Sequence, residues 1–394
     1  MVRIYFFVFD YFLIYLKYGA IASMLSLFSC QSRQHSPFSS NVDSASHFSQ
    51  IRHAVGFDLI PFEKYNVLHL FRHYNDAIDT LSFVLKEEKA LINPKFKDLA
   101  KIEVPLFDIA LLHSSYLSFF NSLEATNHLT AISEAQYIYN EQVYATVINE
   151  SLPEVGFGES LDKEKLLALG VSAVITVGWP NAPNKSQQIL GELGIPVLVL
   201  SEWQETTLLG RLEWIKVVAA LTGKTVLADS LFSAVEAHYD SLKSLTSLVS
   251  KRPDIICNLP YKGSWYMPGG NSYVSNVIAD AGANYLWSDH PGTGGIQIDF
   301  EAVYAKGISA DYWINPGFAS SIADIVGSDE RLSDFQAVTY GHVYNSNKRV
   351  SRDIANDYWE SGIVMPDVIL ADLVSIFHPK LLPDHELFYY KVID

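Results

Sequence analysis

One stretch of this chain is written twice, and the repetition constrains the fold more than any other feature. Leu161–Val177 reads LDKEKLLALGVSAVITV, and 137 positions further on Ile298–Ile314 reads IDFEAVYAKGISADYWI. At that offset Asp162 falls on Asp299, Glu164 on Glu301 and Ala168 on Ala305. Gly170, Ser172 and Ala173 likewise fall on Gly307, Ser309 and Ala310, and Leu166/Val303, Val171/Ile308 and Val177/Ile314 keep their apolar character. Each copy has the pattern of a short amphipathic helix that stops at a glycine and runs straight into a buried strand. An acid in the first turn suits the positive end of the helix dipole, and glycine suits a left-handed C-cap. One repeat, separated by more than a hundred residues, does not make a solenoid. It predicts two lobes built alike.

The chain has room for them: 394 residues accommodate two domains of ordinary size. Hydrophobic residues make up 49% and charged residues 18%, so both cores can be filled. A net charge of −16 argues against nucleic acid, whose phosphates it would repel. Aromatics at 13% are plentiful, and Tyr and Trp beyond core needs often line ligand clefts.

The N-terminus reads as a targeting segment over residues 1–30. Lys17 supplies a positive region, Tyr18–Ser26 an apolar one, and Leu27-Phe28-Ser29-Cys30 resembles the lipobox of bacterial lipoproteins, in which the cysteine is diacylated. An uncleaved anchor is the alternative, although residues 4–16 are short for a span and contain Asp10. With Cys30 lipidated, Cys257 is left in the apolar run Ile255–Leu259 as a buried structural thiol. Residues 31–50, rich in Ser and Gln and poor in aliphatics, read as a flexible tether.

A first α/β lobe is expected over 51–223. Val67–Phe71 and Thr80–Leu85 read as strands, and so do Leu106–Leu112, Leu129–Ile132, Ala173–Val177 and Ile195–Leu200. Strands alternating with helices at this spacing indicate a parallel sheet, whose ligands bind outside the carboxyl ends of the strands. Leu208–Leu221 and Val226–Val249 are helical by periodicity, the second with Leu231, Val235, Leu242 and Leu245 on one stripe. Residues 224–250 are therefore a connecting helix. The second α/β lobe, 251–394, opens with strand Asp254–Leu259 and a loop at Tyr261–Asn271, and closes with helices at Asp367–His378 and Leu381–Val392. The fold class expected is α/β, with two Rossmann-like lobes of parallel-rich sheets joined by a long rigid helix.

A lipobox, a tether, an α/β lobe, a long helix and a second α/β lobe resemble the helical-backbone class (class III) of periplasmic substrate-binding proteins. These deliver ferric siderophores, haem or cobalamin to ABC importers. The resemblance covers Val104 to the C-terminus, and its most specific part is the doubled motif. There Gly170-Val171-Ser172-Ala173 and Gly307-Ile308-Ser309-Ala310-Asp311 replace the family's Lys-Pro-Asp, and only Asp311 keeps the acid. Gly269-Gly270-Asn271-Ser272 and Ala281-Gly282-Ala283 match the start of the family's second lobe.

The resemblance implies a cell-envelope protein, lipid-anchored, monomeric, and working with an ABC permease dimer and its ATPase. By motif position Glu164 and Glu301 are the acids that dock into the permease; without the resemblance each is a solvated first-turn acid. Trp179 stands where the family has an aromatic at the end of a first-lobe strand. His113, Tyr137, Tyr139 and Trp203 come from first-lobe strand ends, and Trp265, Tyr266 and Trp287 from second-lobe loops. Flat faces of this kind suit a haem, a catecholate or a corrinoid, and Arg349 could pair with an anionic siderophore. The Gly292–Gly295 loop lacks the tryptophan that some cobalamin binders place there, which favours an iron complex over the cobalamin alternative.

No resident cofactor or metal is expected. His69 and His73 are four apart but in a strand-like run, and His378 and His385 flank a proline-broken segment. The remaining alternative is a two-lobed α/β enzyme such as a glycosyltransferase. No dinucleotide fingerprint, P-loop or nucleophile elbow supports it, and adjacent His113 and Ser114 are poorly placed for a triad.

Overall fold

A computed structural model describes residues 50–74, 77–178 and 185–394. Contacts group residues 45–394 into one unit; the other, Met1–Ser44, lies outside the described residues. The first sheet differs from the parallel one expected at this end of the chain. Strands β1 (Phe57–Pro61), β2 (Tyr65–Tyr74) and β3 (Ala77–Lys86) form an antiparallel meander, and β4 (Ala100–Glu103) adds parallel to β3. Side chains alternate across it. Leu68, Leu70, Phe83 and Leu85 enter the main core, while Tyr65, Val67 and Val84 cover Phe96 on the other face.

The segment before β1 has neither helix nor sheet partner, so its amides need other acceptors. Two buried glutamates supply them. Glu213 accepts the N–H groups of Arg52, His53 and Ala54 at 3.0, 2.8 and 2.9 Å. Glu205 accepts those of Val55 and Gly56 at 3.0 and 2.9 Å, and Nε1–H of Trp214 at 2.9 Å. Gly56 is required there, because a Cβ would lie 2.6 Å from Trp214 Cζ2. Lys216 Nζ meets Glu213 at 2.8 Å, with both side chains wholly buried.

The first lobe's main sheet is parallel throughout, in the order β6-β5-β7-β8: β5 is Ile109–Leu111, β6 Leu129–Ile132, β7 Ala173–Val177 and β8 Val197–Leu200. Helices cover both faces, so β5 and β7 are buried along their whole length. The expected helix Leu208–Leu221 is broken at Trp214 into Leu208–Glu213 and Ile215–Thr222. The connecting helix is Thr225–Thr246, 22 residues and so about 33 Å long. Its buried face is Ala228, Phe232, Val235, Tyr239, Leu242 and Thr246, while Leu245 of the expected stripe is 42% exposed. The stripe is rotated because this helix packs on both Ile215–Thr222 and the C-terminal helix Pro366–Phe377.

In the second lobe, β9 is Asp254–Cys257, and Cys257 is buried, which pushes its thiol pKa up. The expected loop Tyr261–Asn271 is largely antiparallel sheet: β10 (Pro260–Tyr261) and β11 (Ser264–Pro268), joined later by β13 (Gly295–Asp299). With β12 (Asn284–Tyr285), β14 (Tyr312–Ile314), β15 (Val343–Asn345) and β18 (Lys391–Val392), β9 builds the sheet β12-β9-β14-β15-β18. It is parallel except for β18 at the edge. A small hairpin, β16 (Val350–Ser351) and β17 (Ala355–Asn356), follows β15.

The doubled motif folds as a doubled unit. Lys163–Ala168 and Phe300–Gly307 are the two helices, and β7 and β14 the strands that follow. The aligned glycines nevertheless serve different ends. Gly170 has φ +67° and makes the left-handed turn. Gly307 ends the helix without a positive φ; its missing Cβ admits Ile256, whose Cγ2 would lie 3.0 Å from one. Asp311 accepts the Asp254 N–H at 2.9 Å, tying the second turn to β9.

Leu381–Val392, expected as a helix, is turns and irregular chain that end in β18. Buried Asp372 is the reason. It accepts the backbone N–H of Phe388, Tyr389 and Tyr390 at 2.8, 2.7 and 3.1 Å, and bonds His385 Nε2 at 2.7 Å. With three amides committed to a carboxylate, the segment cannot form helical hydrogen bonds.

Candidate functional site

The carboxyl ends of the two parallel sheets carry the loops after β6 and β15, and a pocket lies where these loops and the C-terminal segment converge. Tyr139, Lys348, Arg349, Val350, Leu387 and Phe388 line an open depression of about 440 Å³, together with Glu386. Its volume is within the usual range of small-molecule sites, about 300–1,000 Å³. Arg349 is the central group. Its guanidinium carbon lies 5.3 Å from the Tyr139 ring centroid and 4.2 Å from that of Phe388. Its Nε–H donates to Asp357 Oδ2 at 2.6 Å. Among the described residues neither Nη has a hydrogen-bond partner. Burial by itself would lower its pKa, but the hydrogen bond and charge of Asp357 outweigh that and raise it. The result is a permanently charged, flat, anchored group whose free edge suits a carboxylate, catecholate or other anionic oxygen.

The two lobes meet beside this pocket. Glu360, on the single helical turn Asp357–Glu360, accepts the N–H of Tyr139 at 2.6 Å and of Asn140 at 3.1 Å. Burial pushes its carboxyl up to about 7, opposed by the Tyr139 N–H and reinforced by the charge of Asp357. Arg352 pairs with Glu141 at 2.5 Å and donates to the Ile138 carbonyl, and its guanidinium carbon lies 3.7 Å from the Tyr144 ring centroid. Arg211, bonded to Glu202 at 3.1 Å, lies 4.2 Å from the Tyr273 ring centroid.

The sequence profile of the periplasmic binding protein family matches residues 109–350. The chain belongs to that family. A relative named an uncharacterised lipoprotein, from Methanocaldococcus jannaschii, is 24% identical over 298 residues, 73% of this chain and 69% of the relative. The molybdate periplasmic binding protein of a Haemophilus influenzae ABC transporter shares the fold with a TM-score of 0.56 at 17% identity, over 72% of this chain and 90% of that one. A periplasmic haem-binding protein from Pseudomonas aeruginosa does so with a TM-score of 0.54 at 16% identity, over 73% and 99%. The fold is the class III one: two Rossmann-like lobes with parallel-rich sheets joined by a long helix.

In this periplasmic binding protein the structure brings Tyr139 and Arg349 together and scatters the other expected ligand residues. Tyr137 is 40% exposed at the end of a 3-10 turn, and Tyr266 is 48% exposed on β11. His113 is partly buried beside Tyr116, and its Nδ1 lacks a hydrogen-bond partner among the described residues. Trp203 is half-buried, with Nε1–H donating to the Gly178 carbonyl at 2.8 Å. Trp179 lies outside the described residues.

Two expectations are corrected. Trp265 is fully buried among Phe300, Trp313 and Phe335, with its Nε1–H on the Cys257 carbonyl at 2.9 Å. On a strand, neighbours point to opposite faces, so Tyr266 faces out and Trp265 in. Trp287, 2% exposed, packs beside Tyr285 and under Lys306, and is core as well.

Residues that sequence reasoning missed are Asp357, Glu360, Arg352 and Phe388. Only the charge of the first three was a signal, and Phe388 was hidden in a segment read as helix.

Glu164 and Glu301 occupy the same first-turn position of the two repeat helices, and both are exposed. Glu301 is approached by Arg331 at 3.4 Å; Arg331 also holds Asp329 at 2.6 Å. Among the described residues Glu164 has no ion-pair partner. Cys30 lies outside the described residues. No described helix is long and apolar enough to cross a membrane.

Of the histidines weighed as metal ligands, His69 bonds Ser82 Oγ at 2.8 Å and His378 the Gly282 carbonyl at 2.9 Å. With His385 on Asp372, these contacts are structural.

Proposed function

We propose that this protein is the lipid-anchored substrate-binding component of an ABC importer, capturing a ferric siderophore or haem in the seam between its lobes. Residues 51–223 form the first lobe, 224–250 the connecting helix and 251–394 the second lobe. The observation that carries the ligand class is Arg349: a guanidinium fixed by Asp357 near the rings of Tyr139 and Phe388, with neither Nη hydrogen-bonded among the described residues. Two aromatic rings beside a cation suit a ligand that combines flat conjugated surface with anionic oxygen. The haem-binding protein of like fold supports the same ligand class.

Delivery rests on the doubled helix, which presents Glu164 and Glu301 on equivalent exposed positions for a two-subunit permease. Anchoring rests on the Leu27–Cys30 motif, and the relative named as a lipoprotein is consistent with it.

The test is a titration of the purified protein with haemin, a ferric catecholate, a ferric trihydroxamate, cyanocobalamin and molybdate, read by tryptophan fluorescence. Native mass spectrometry of protein from its own host should find a retained iron complex. Saturable binding of cyanocobalamin or molybdate with no response to any iron complex would overturn the ligand class.

A further inference from the structure

Four residues beyond the family-profile match, Ser351, Arg352, Asp357 and Glu360, cluster where the lobes meet. Three of them reach across. Glu360 is only 6% exposed, yet its carboxylate takes two consecutive N–H groups from the other lobe, at 2.6 and 3.1 Å. Arg352 takes the Ile138 carbonyl just before them and pairs with Glu141 just after. Ser351 Oγ adds a 2.6 Å hydrogen bond to the same Glu141 oxygen. Arg352 and Asp353 sit at the hairpin tip with φ of +50° and +61°, a conformation that non-glycine residues adopt at a cost. That backbone aims Arg352 at the neighbouring lobe.

The segment so gripped is Ile138–Glu141, and Tyr139 at its centre is the first-lobe wall of the pocket. The same helical turn that carries Glu360 also carries Asp357, which anchors Arg349 in the opposite wall. We propose that Glu360 and Arg352 are positioning residues: they form an inter-lobe latch that holds Tyr139 at its stacking distance from Arg349. One short element thereby fixes both walls. Asn140 makes the grip stiff, because its side chain caps the helix Glu141–Ile148 by accepting from Gln142 N and Val143 N, so the held backbone is continuous with a helix. The latch bears on the ligand reading above only through Tyr139, and it is tested without any ligand.

The experiment is amide hydrogen exchange on the full soluble chain, following Tyr139 and Asn140 against β5 and β7 as references. In E360A those two amides should exchange about tenfold faster or more, the factor expected for one lost hydrogen bond of about 1.4 kcal/mol, with the reference strands unchanged. R352E and E141R should each loosen residues 138–141, and the double variant R352E/E141R should regain most of the protection. A merely structural role would not produce that rescue. Unchanged exchange at Tyr139 and Asn140 in E360A, an equal rise in β7, or a double reversal no better than the singles each overturns the latch. If E360A fails to fold, the reversal pair decides by itself, since both side chains are partly exposed, at 26% and 68%. R349A should weaken haemin binding about 10- to 100-fold yet leave this exchange pattern intact, which separates a failed latch from a failed ligand assignment.

Discussion

Asp357 holds Arg349 through a single nitrogen: Oδ2 accepts from Nε–H at 2.6 Å, and among the described residues neither terminal nitrogen has a hydrogen-bond partner. Hydrogen bonds to charged groups contribute about 1.5–3 kcal/mol, so R349A should weaken binding of an anionic iron complex about 10- to 100-fold. D357N, which frees the guanidinium to rotate, should weaken it less. Fluorescence titration with haemin measures both. Affinity unchanged in R349A would remove Arg349 from the site.

The docking acids give a prediction with two readouts. Reversing Glu164 or Glu301 to Lys should lower uptake and transporter binding, each by about 2–5 kcal/mol if buried on docking, while haemin affinity stays the same. The double reversal should be worse than either single. Because Arg331 competes for Glu301, R331A should leave transport intact or improve it. Affinity falling in step with uptake would contradict the assignment.

The strap before β1 predicts a dependence of stability on pH. Burial alone would raise the Glu213 pKa, but the Lys216 hydrogen bond and the amides of Ala54 and His53 outweigh it and lower the value. A carboxyl depressed by folding contributes stability above its unfolded pKa, about 4.3, which is lost as pH falls through the folded value. E213Q should therefore be less stable at neutral pH and lose less on acidification. K216M strands a buried charge and should cost about 3–5 kcal/mol in urea unfolding, with E213Q/K216M recovering part of it. Glu205, whose pKa burial raises, should act in the opposite sense.

Cys30→Ser should abolish labelled-palmitate incorporation and leave the precursor unprocessed, since thioether formation needs the thiol. Equal labelling of wild type and variant would rule out the lipid anchor.

A helix of about 33 Å packed on two others resists bending, so ligand binding should leave the lobes nearly fixed. Scattering curves of the ligand-free and haemin-bound protein should superpose. A large contraction on binding would show that the spine bends.

Much of the architecture was legible because it rests on local patterns. The doubled motif announced two helix–strand units at the right residues, and the long apolar stripe announced the spine. The buried runs at β5 and β7 announced parallel strands. Tyr139 was expected from a strand-end loop and Arg349 as a cation for an anionic ligand, and both line the same pocket. Trp265 and Trp287 were misjudged because a tryptophan between glycines and prolines reads as a loop aromatic. Only the pairing of β11 with β13 shows which face each residue takes.

What the sequence alone determined is therefore periodic: the repeat, the connecting helix and the buried strands of the first lobe's parallel sheet, each set by the spacing of apolar residues. What only the tertiary structure decided depends on partners far apart in the chain. Glu213 and Glu205 capture amides some 150 residues away, for instance Val55 by Glu205, Asp372 holds a helical pattern in an irregular course, and Glu360 reaches Tyr139 across 221 positions. Each is a buried carboxylate satisfying backbone N–H groups that no helix or sheet provides for. No local pattern encodes that need, because the unpaired amides exist only once the rest of the chain has folded around them.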